Sequence, residues 1–322
     1  MYFFLVAFPY TDVSFLSCFH SSTSIARALA LDFPGDATSN LARQGAFSGI
    51  GFVIGPTLGG WLSTSFSVKT ATTLNATIAI ANVLLTCLLL QDTSMVTTQE
   101  STKTDEKKNA TKKDESISFR SFLYEIGQYD ACLLLSVLFC LSFGFQAFTA
   151  SFAMYCKSRF QFGPLEYGRI LSFCGIVWST TNAFLLPYLK RKYPTQNRTL
   201  LVFGTVSLLC GRIVLGFAHR WELLILGELC VVTGAAISFT LLSAILSTVV
   251  TPVLIGSVMG FTAALESGCG IFVPPLVGML FDRYGDACGA WVSAGATGVG
   301  VMLLVCCWRD GVVVQGKEKK EE

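Results

Sequence analysis

Residues 41–62 read LARQGAFSGIGFVIGPTLGGWL. After Arg43 nineteen consecutive residues carry no charge, close to the roughly 20 that a helix needs to cross the hydrocarbon core of a bilayer. Gly51, Gly55 and Gly59 recur at i, i+4 and i+8, which leaves one helical face without side chains and lets a second helix approach closely. Pro56 removes a backbone donor inside the run and predicts a kink, and Gly60 completes the pattern Gly-x-x-x-Gly-Pro-x-x-Gly-Gly. The stretch reads as a membrane-spanning helix built to pack on another.

The rest of the chain agrees. Its 322 residues are 52% hydrophobic and only 14% charged, too few charges to cover the surface of a soluble protein of this length. Apolar runs long enough to span fall near residues 12–31, 45–64, 71–91, 130–155, 166–189, 199–218, 222–248, 256–281 and 287–308. The fold class expected is therefore an all-α, polytopic membrane protein of about nine spans. The lipid bilayer is its principal partner, and a net charge of +2 points to no nucleic-acid partner.

One stretch breaks the pattern. Residues 92–118 are rich in Thr, Lys, Asp and Glu and cannot bury enough apolar surface to fold, so they read as a linker. The expected organisation is an incomplete first bundle over residues 1–91, a charged linker over 92–128, a six-helix bundle over 129–309 and a solvated tail over 310–322. With the linker placed in the cytoplasm, Lys and Arg favour the cytoplasmic loops by about two to one, as the positive-inside rule requires. The linker and the C-terminus are thus expected in the cytoplasm, in the plasma membrane rather than an organelle, since no retention signal occurs.

The chain also repeats itself. GFVIGPTLGG at 51–60 and GIFVPPLVGM at 270–279 align Gly51 with Gly270, Pro56 with Pro275 and Gly59 with Gly278. Four apolar runs lie between the linker and the second copy, but one run and an apolar stub precede the first copy. Equal halves would need about three more helices at the N-terminus, so an N-terminally truncated chain or an incomplete gene model is expected.

The Gly51–Gly60 pattern resembles the helix-5 signature of the drug:proton antiporter branch of the major facilitator superfamily. The segments LARQGAFSGIGFVIGPTLGGWL, YGRILSFCGIVWS and GSVMGFTAALESGCGIFVPPLVGMLFDRYG resemble its tetracycline-resistance-like carriers, and within them the organic-cation-transporter-like members of solute carrier family 22. The resemblance runs from Asp32 to Trp308 and implies two helical bundles that rock about a midplane site. It implies secondary transport of small organic, cationic or drug-like solutes, coupled to protons in antiport. One family feature is missing: where the Gly-Asp-Arg-Gly-Arg loop has its C-terminal counterpart, this chain has LKRKYP at 189–194. The alternative is a non-transporting membrane paralogue that acts as a partner or scaffold.

Charged residues within spans mark the candidate site, because each costs about 2.5–3.5 kcal/mol at a helix centre and is kept for a partner or a task. Arg27, Arg212, Glu228 and Glu266 are such residues. Arg212 and Glu228 fall at equal depth on the two helices of one hairpin, which allows an ion pair. By the resemblance, Glu228 lies on the tenth helix of twelve, one of those that line the central cavity, where a carboxylate takes up protons or attracts a cationic substrate. Glu266, among glycines at mid-helix, is the second candidate. Arg27, Asp32 and Arg43 are expected to form a cytoplasmic gating cluster. Phe139, Phe143, Phe145, Phe148 and Phe152 share one helix, and some of them can wall an apolar site with cation–π capacity.

Enzymatic chemistry is not expected. The two histidines, His20 and His219, support no Ser/His/Asp set, no phosphate loop occurs, and none of the twelve cysteines has CxxC spacing, so neither metal nor cofactor is expected. Most cysteines sit in apolar runs and read as packing residues, with Cys306 and Cys307 as candidate palmitoylation sites.

Overall fold

The computed structural model describes residues 27, 30, 31, 36–89, 127–193, 196–251 and 254–308. Among the described residues eight long helices follow one another: α1 (Ala37–Ser65), α2 (Val68–Leu89), α3 (Tyr129–Phe160), α4 (Pro164–Lys192), α5 (Asn197–Phe217), α6 (Trp221–Val249), α7 (Ile255–Tyr284) and α8 (Cys288–Cys306). No strand occurs among the described residues, and seven of these helices are long and apolar enough to cross a membrane. Each apolar run from residue 45 onward becomes one helix. The run at 12–31, the polar stretch 92–118 and the tail beyond 308 lie almost wholly outside the described residues.

Local chemistry sets the helix ends. The Asp36 carboxylate accepts from the Ser39 N–H and caps α1. α3 closes on Gln161 in the left-handed region, φ 56°, whose N–H reaches back to the Cys156 and Lys157 carbonyls. Pro164 then opens α4 at a position that needs no backbone donor, and Glu166 accepts from the Gly163 N–H at 3.0 Å. α7 stops at Gly285, whose φ of 86° is one that side-chain-bearing residues rarely adopt.

The best-packed part is formed by α3–α8. α5 and α6 form a close hairpin, α8 lies against α3 and α5, and α7 lies against α3. Leu134, Leu138, Leu141, Leu208, Leu241 and Leu242 are fully buried at its centre. α1 joins this body mainly along α4, with α2 beside it. α1 and α2 leave large apolar side chains such as Phe47, Ile54, Ile78 and Ile80 exposed, a surface that lipid can solvate.

The α1–α4 contact is a backbone-to-backbone seam. A Cβ added at Gly168 would meet the Pro56 carbonyl, one at Gly175 the Phe52–Val53 peptide, and one at Gly49 the Ser179 backbone. Ser172 donates to the Val53 carbonyl at 2.6 Å and Ser179 to the Ala46 carbonyl at 2.9 Å. Pro56 lies inside this seam and Gly60 abuts Pro164, but Gly51, Gly55 and Gly59 have nothing within 4 Å. The glycine face expected to receive a neighbour therefore points away from α4, and the contact is carried by Gly168, Ser172, Gly175 and Ser179 on the α4 side.

Candidate functional site

Three charged features stand out, buried or half-buried, within the apolar helices. The first is Arg212 on α5, 1% exposed. Its Nη1 donates to the Ser293 carbonyl of α8 at 3.1 Å and to the Thr297 hydroxyl. Gly144 of α3 makes room for it, since a Cβ there would strike the guanidinium. Nε has no partner.

Glu228 on α6 is the second, 3% exposed. One carboxylate oxygen accepts from the Cys174 thiol of α4 at 3.5 Å, and the other, Oε1, has no hydrogen-bond partner. Arg212 and Glu228 form no ion pair: the guanidinium is taken by α8, the carboxylate by α4, and they sense one another only through space. Equal depth along a hairpin does not determine which third helix captures each side chain.

The third is an ion pair that joins distant parts of the chain. Arg27 Nη1 lies 3.1 Å from Glu266 Oε1 of α7, and both side chains are half-buried. Of the residues grouped with Arg27 in the sequence, Asp32 lies outside the described residues, and Arg43 is exposed on the second turn of α1. Arg27 thus reaches across to α7 instead of joining Arg43.

Beside Glu266, α3 and α7 flank an open cavity of about 350 Å³. Phe139 and Phe143 of α3 and Phe261, Phe272 and Cys269 of α7 line it, with almost no polar surface. Other α3 phenylalanines point elsewhere: Phe148 and Phe152 are buried in the core with their rings tilted against each other, and Phe145 packs on Phe239. A smaller cavity of about 290 Å³ lies between the start of α1 and the end of α4, walled in part by Asp36, Lys190 and Arg191.

Several contributors are not singled out by the sequence. Asn182 is fully buried in a π-helical turn of α4, Thr181–Leu185, where its side-chain oxygen accepts from Thr240 of α6 at 2.9 Å and its amide donates to the Trp178 carbonyl. Such single π turns concentrate at functional sites. At one end of the body Arg159 pairs with Asp286 at 3.7 Å and meets His219 Nε2 at 3.0 Å, joining α3 to two loops. The α4 stripe Gly168, Ser172, Gly175, Ser179 was visible as small residues at i, i+4, i+7 and i+11. No metal-holding cluster of His, Cys, Asp and Glu occurs among the described residues.

A helical body of membrane-spanning length, with charged groups buried among its helices and an apolar cavity between two of them, fits a polytopic membrane protein. The chain belongs to the major facilitator superfamily: the sequence model of that family matches residues 19–274. Among solved structures it is similar to the crystal structure of the human organic anion transporter MFSD10 (TETRAN), with a TM-score of 0.60 and 19% sequence identity. That likeness covers 87% of this chain and 67% of the other and shows a shared fold. No curated protein sequence matches the chain.

Proposed function

We propose that this chain is a secondary transporter of the drug:proton antiporter branch, which moves small organic cations by alternating access and takes up protons at Glu228. In this reading α1 and α2 belong to one helical bundle, α3–α8 form the other, and the α1–α4 seam is a line along which they rock. The observation that carries it is the unpartnered Oε1 of Glu228. A buried carboxylate with an unsatisfied oxygen is costly, whereas a position that receives a proton or a substrate cation in turn uses that oxygen. The thiol of Cys174 is its sole hydrogen-bond partner among the described residues.

The test is proton movement in proteoliposomes that carry a pH-sensitive dye, driven by tetraethylammonium or benzyltrimethylammonium. The expected outcome is substrate-driven proton flux that Glu228→Gln abolishes. Unchanged coupling in Glu228→Gln removes Glu228 from the mechanism, and the absence of any flux favours a non-transporting partner. A second reading is transport of organic anions, the substrates named for MFSD10. The unpartnered Nε of Arg212 favours it, and flux of benzenesulfonate instead of the cations would establish it.

A further inference from the structure

The proposed function leaves two neighbouring features unused, the Arg27–Glu266 pair and the phenylalanine-lined cavity. They share one helix. Cys269 lines the cavity one turn beyond Glu266 and lies within electrostatic reach of its carboxylate. Leu265, next to Glu266, lines it too. A carboxylate thus stands at the edge of an apolar space of about 350 Å³, within the range of roughly 300–1,000 Å³ that small-molecule sites occupy.

We infer that this cavity receives the ring-bearing part of an aromatic ammonium substrate, whose charged head replaces Arg27 on Glu266, so that binding itself opens the link between Arg27 and α7. This rests on the transporter reading and names the site and class of its substrate.

Three observations support exchange of one cation for another. The pair has a single N–O contact, 3.1 Å from Nη1 to Oε1, without the second bond that would make an arginine–carboxylate fork. Both side chains keep some solvent access, 25% for Arg27 and 15% for Glu266, so water and ligand can compete for them. The cavity wall is aromatic: Phe139 and Phe272 are 46% and 77% exposed, and aromatic faces attract ammonium groups. A neutral or anionic ligand would satisfy the wall but not displace Arg27. An acyl chain would fill the cavity without contacting Glu266.

Binding is measured by saturation-transfer NMR on the full chain in phosphatidylcholine nanodiscs, with benzyltrimethylammonium, benzyl alcohol and benzenesulfonate as probes. No flux is needed, so a protein that binds as expected but moves no protons overturns the proposed function and not this inference. Wild type is expected to prefer the cation, and Glu266→Gln to lose that preference while still binding benzyl alcohol. Phe143→Ala is expected to weaken both probes. Arg27→Ala removes the competitor and is expected to tighten the cation about two- to fivefold, the scale of a partly exposed ion pair. A damaged fold cannot produce that gain. Unchanged or weaker cation binding in Arg27→Ala overturns the inference, as does an unaltered preference in Glu266→Gln. Retention of phosphatidylcholine that none of the probes displaces from the cavity overturns it in favour of a lipid site.

Discussion

The substitution Gly175→Ala separates the observed α1–α4 seam from the one that the glycine pattern of α1 suggests. A Cβ at position 175 would lie 2.6 Å from the Phe52 carbonyl carbon and the Val53 nitrogen, about 0.8 Å inside the 3.4 Å at which ordinary contact begins. Backbone atoms cannot rotate away, so the helices must part by roughly that amount. The Ser172–Val53 and Ser179–Ala46 hydrogen bonds, at 2.6 and 2.9 Å, lie within one turn on either side and lengthen with it. Overpacking costs about 1–3 kcal/mol and a lost hydrogen bond about 0.5–1.5, against a gain of about 1 for replacing glycine by alanine within a helix. The net expectation is a loss of about 1–3 kcal/mol. Gly55→Ala is the control. Nothing lies within 4 Å of its Cβ position, so only the helix gain of up to about 1 kcal/mol remains. The two variants should differ by about 5 °C or more in thermal unfolding followed by circular dichroism in dodecylmaltoside micelles. Equal melting temperatures, or a Gly55→Ala variant less stable than Gly175→Ala, would refute the seam.

The buried polar groups yield two further stability predictions. Arg212→Met should change stability by less than about 1.5 kcal/mol, because replacing a buried charge with an apolar chain of similar size is often neutral, and Thr297 still donates to the Ser293 carbonyl at 2.8 Å. Arg212→Ala should cost about 2–5 kcal/mol through the cavity it leaves, so the contrast between the two in the same melting assay separates volume from charge. Asn182→Ala and Thr240→Val should each cost about 1–3 kcal/mol, since each strips a buried group of its partner. The double variant should cost less than the two losses together, and strict additivity would show that the bond is not a coupled pair.

Where the helices lie was legible from residue 45 onward because a bilayer imposes a length and an apolar composition on every span, and all of them but Val68–Leu89 are long and apolar enough to cross. The runs at 222–248 and 256–281 become α6 and α7 to within three residues at each end, and the Gln161–Gly163 break falls where neither charge nor apolar length supports a span. Which helices touch was less legible. Residues 49–60, GIGFVIGPTLGG, display two small-residue stripes at once, one through Gly51, Gly55 and Gly59, the other through Gly49, Pro56 and Gly60. Composition ranks the first higher because its spacing is regular. The packing uses the second, because its partner must itself offer gaps in register, and Gly168, Ser172, Gly175 and Ser179 do. A stripe on one helix is half of a contact, and the other half lies more than a hundred residues away.

The same limit explains the candidate site. Arg212 and Glu228 could be placed at one depth because rise per residue is fixed, yet their neighbours were set by a third helix in each case. Gly211 and Gly227 occupy the α5–α6 interface, and the charged residues that follow each of them turn out of it. Gly144 leaves space on α3, so Arg212 goes there and reaches the Ser293 carbonyl and Thr297 of α8. Among the described residues no cation is within bonding distance of Glu228, and a thiol is the only donor that reaches it. A guanidinium carries five donors and anchors on carbonyls and hydroxyls even with one N–H left over, whereas a carboxylate among apolar helices needs donors that the helix backbone has already spent. The asymmetry leaves the carboxylate as the more weakly held member of the pair. Arg212 is held by two Nη1 contacts to α8 with Nε left over, Glu266 by a single contact to Arg27, and Glu228 by one thiol with Oε1 left without a partner.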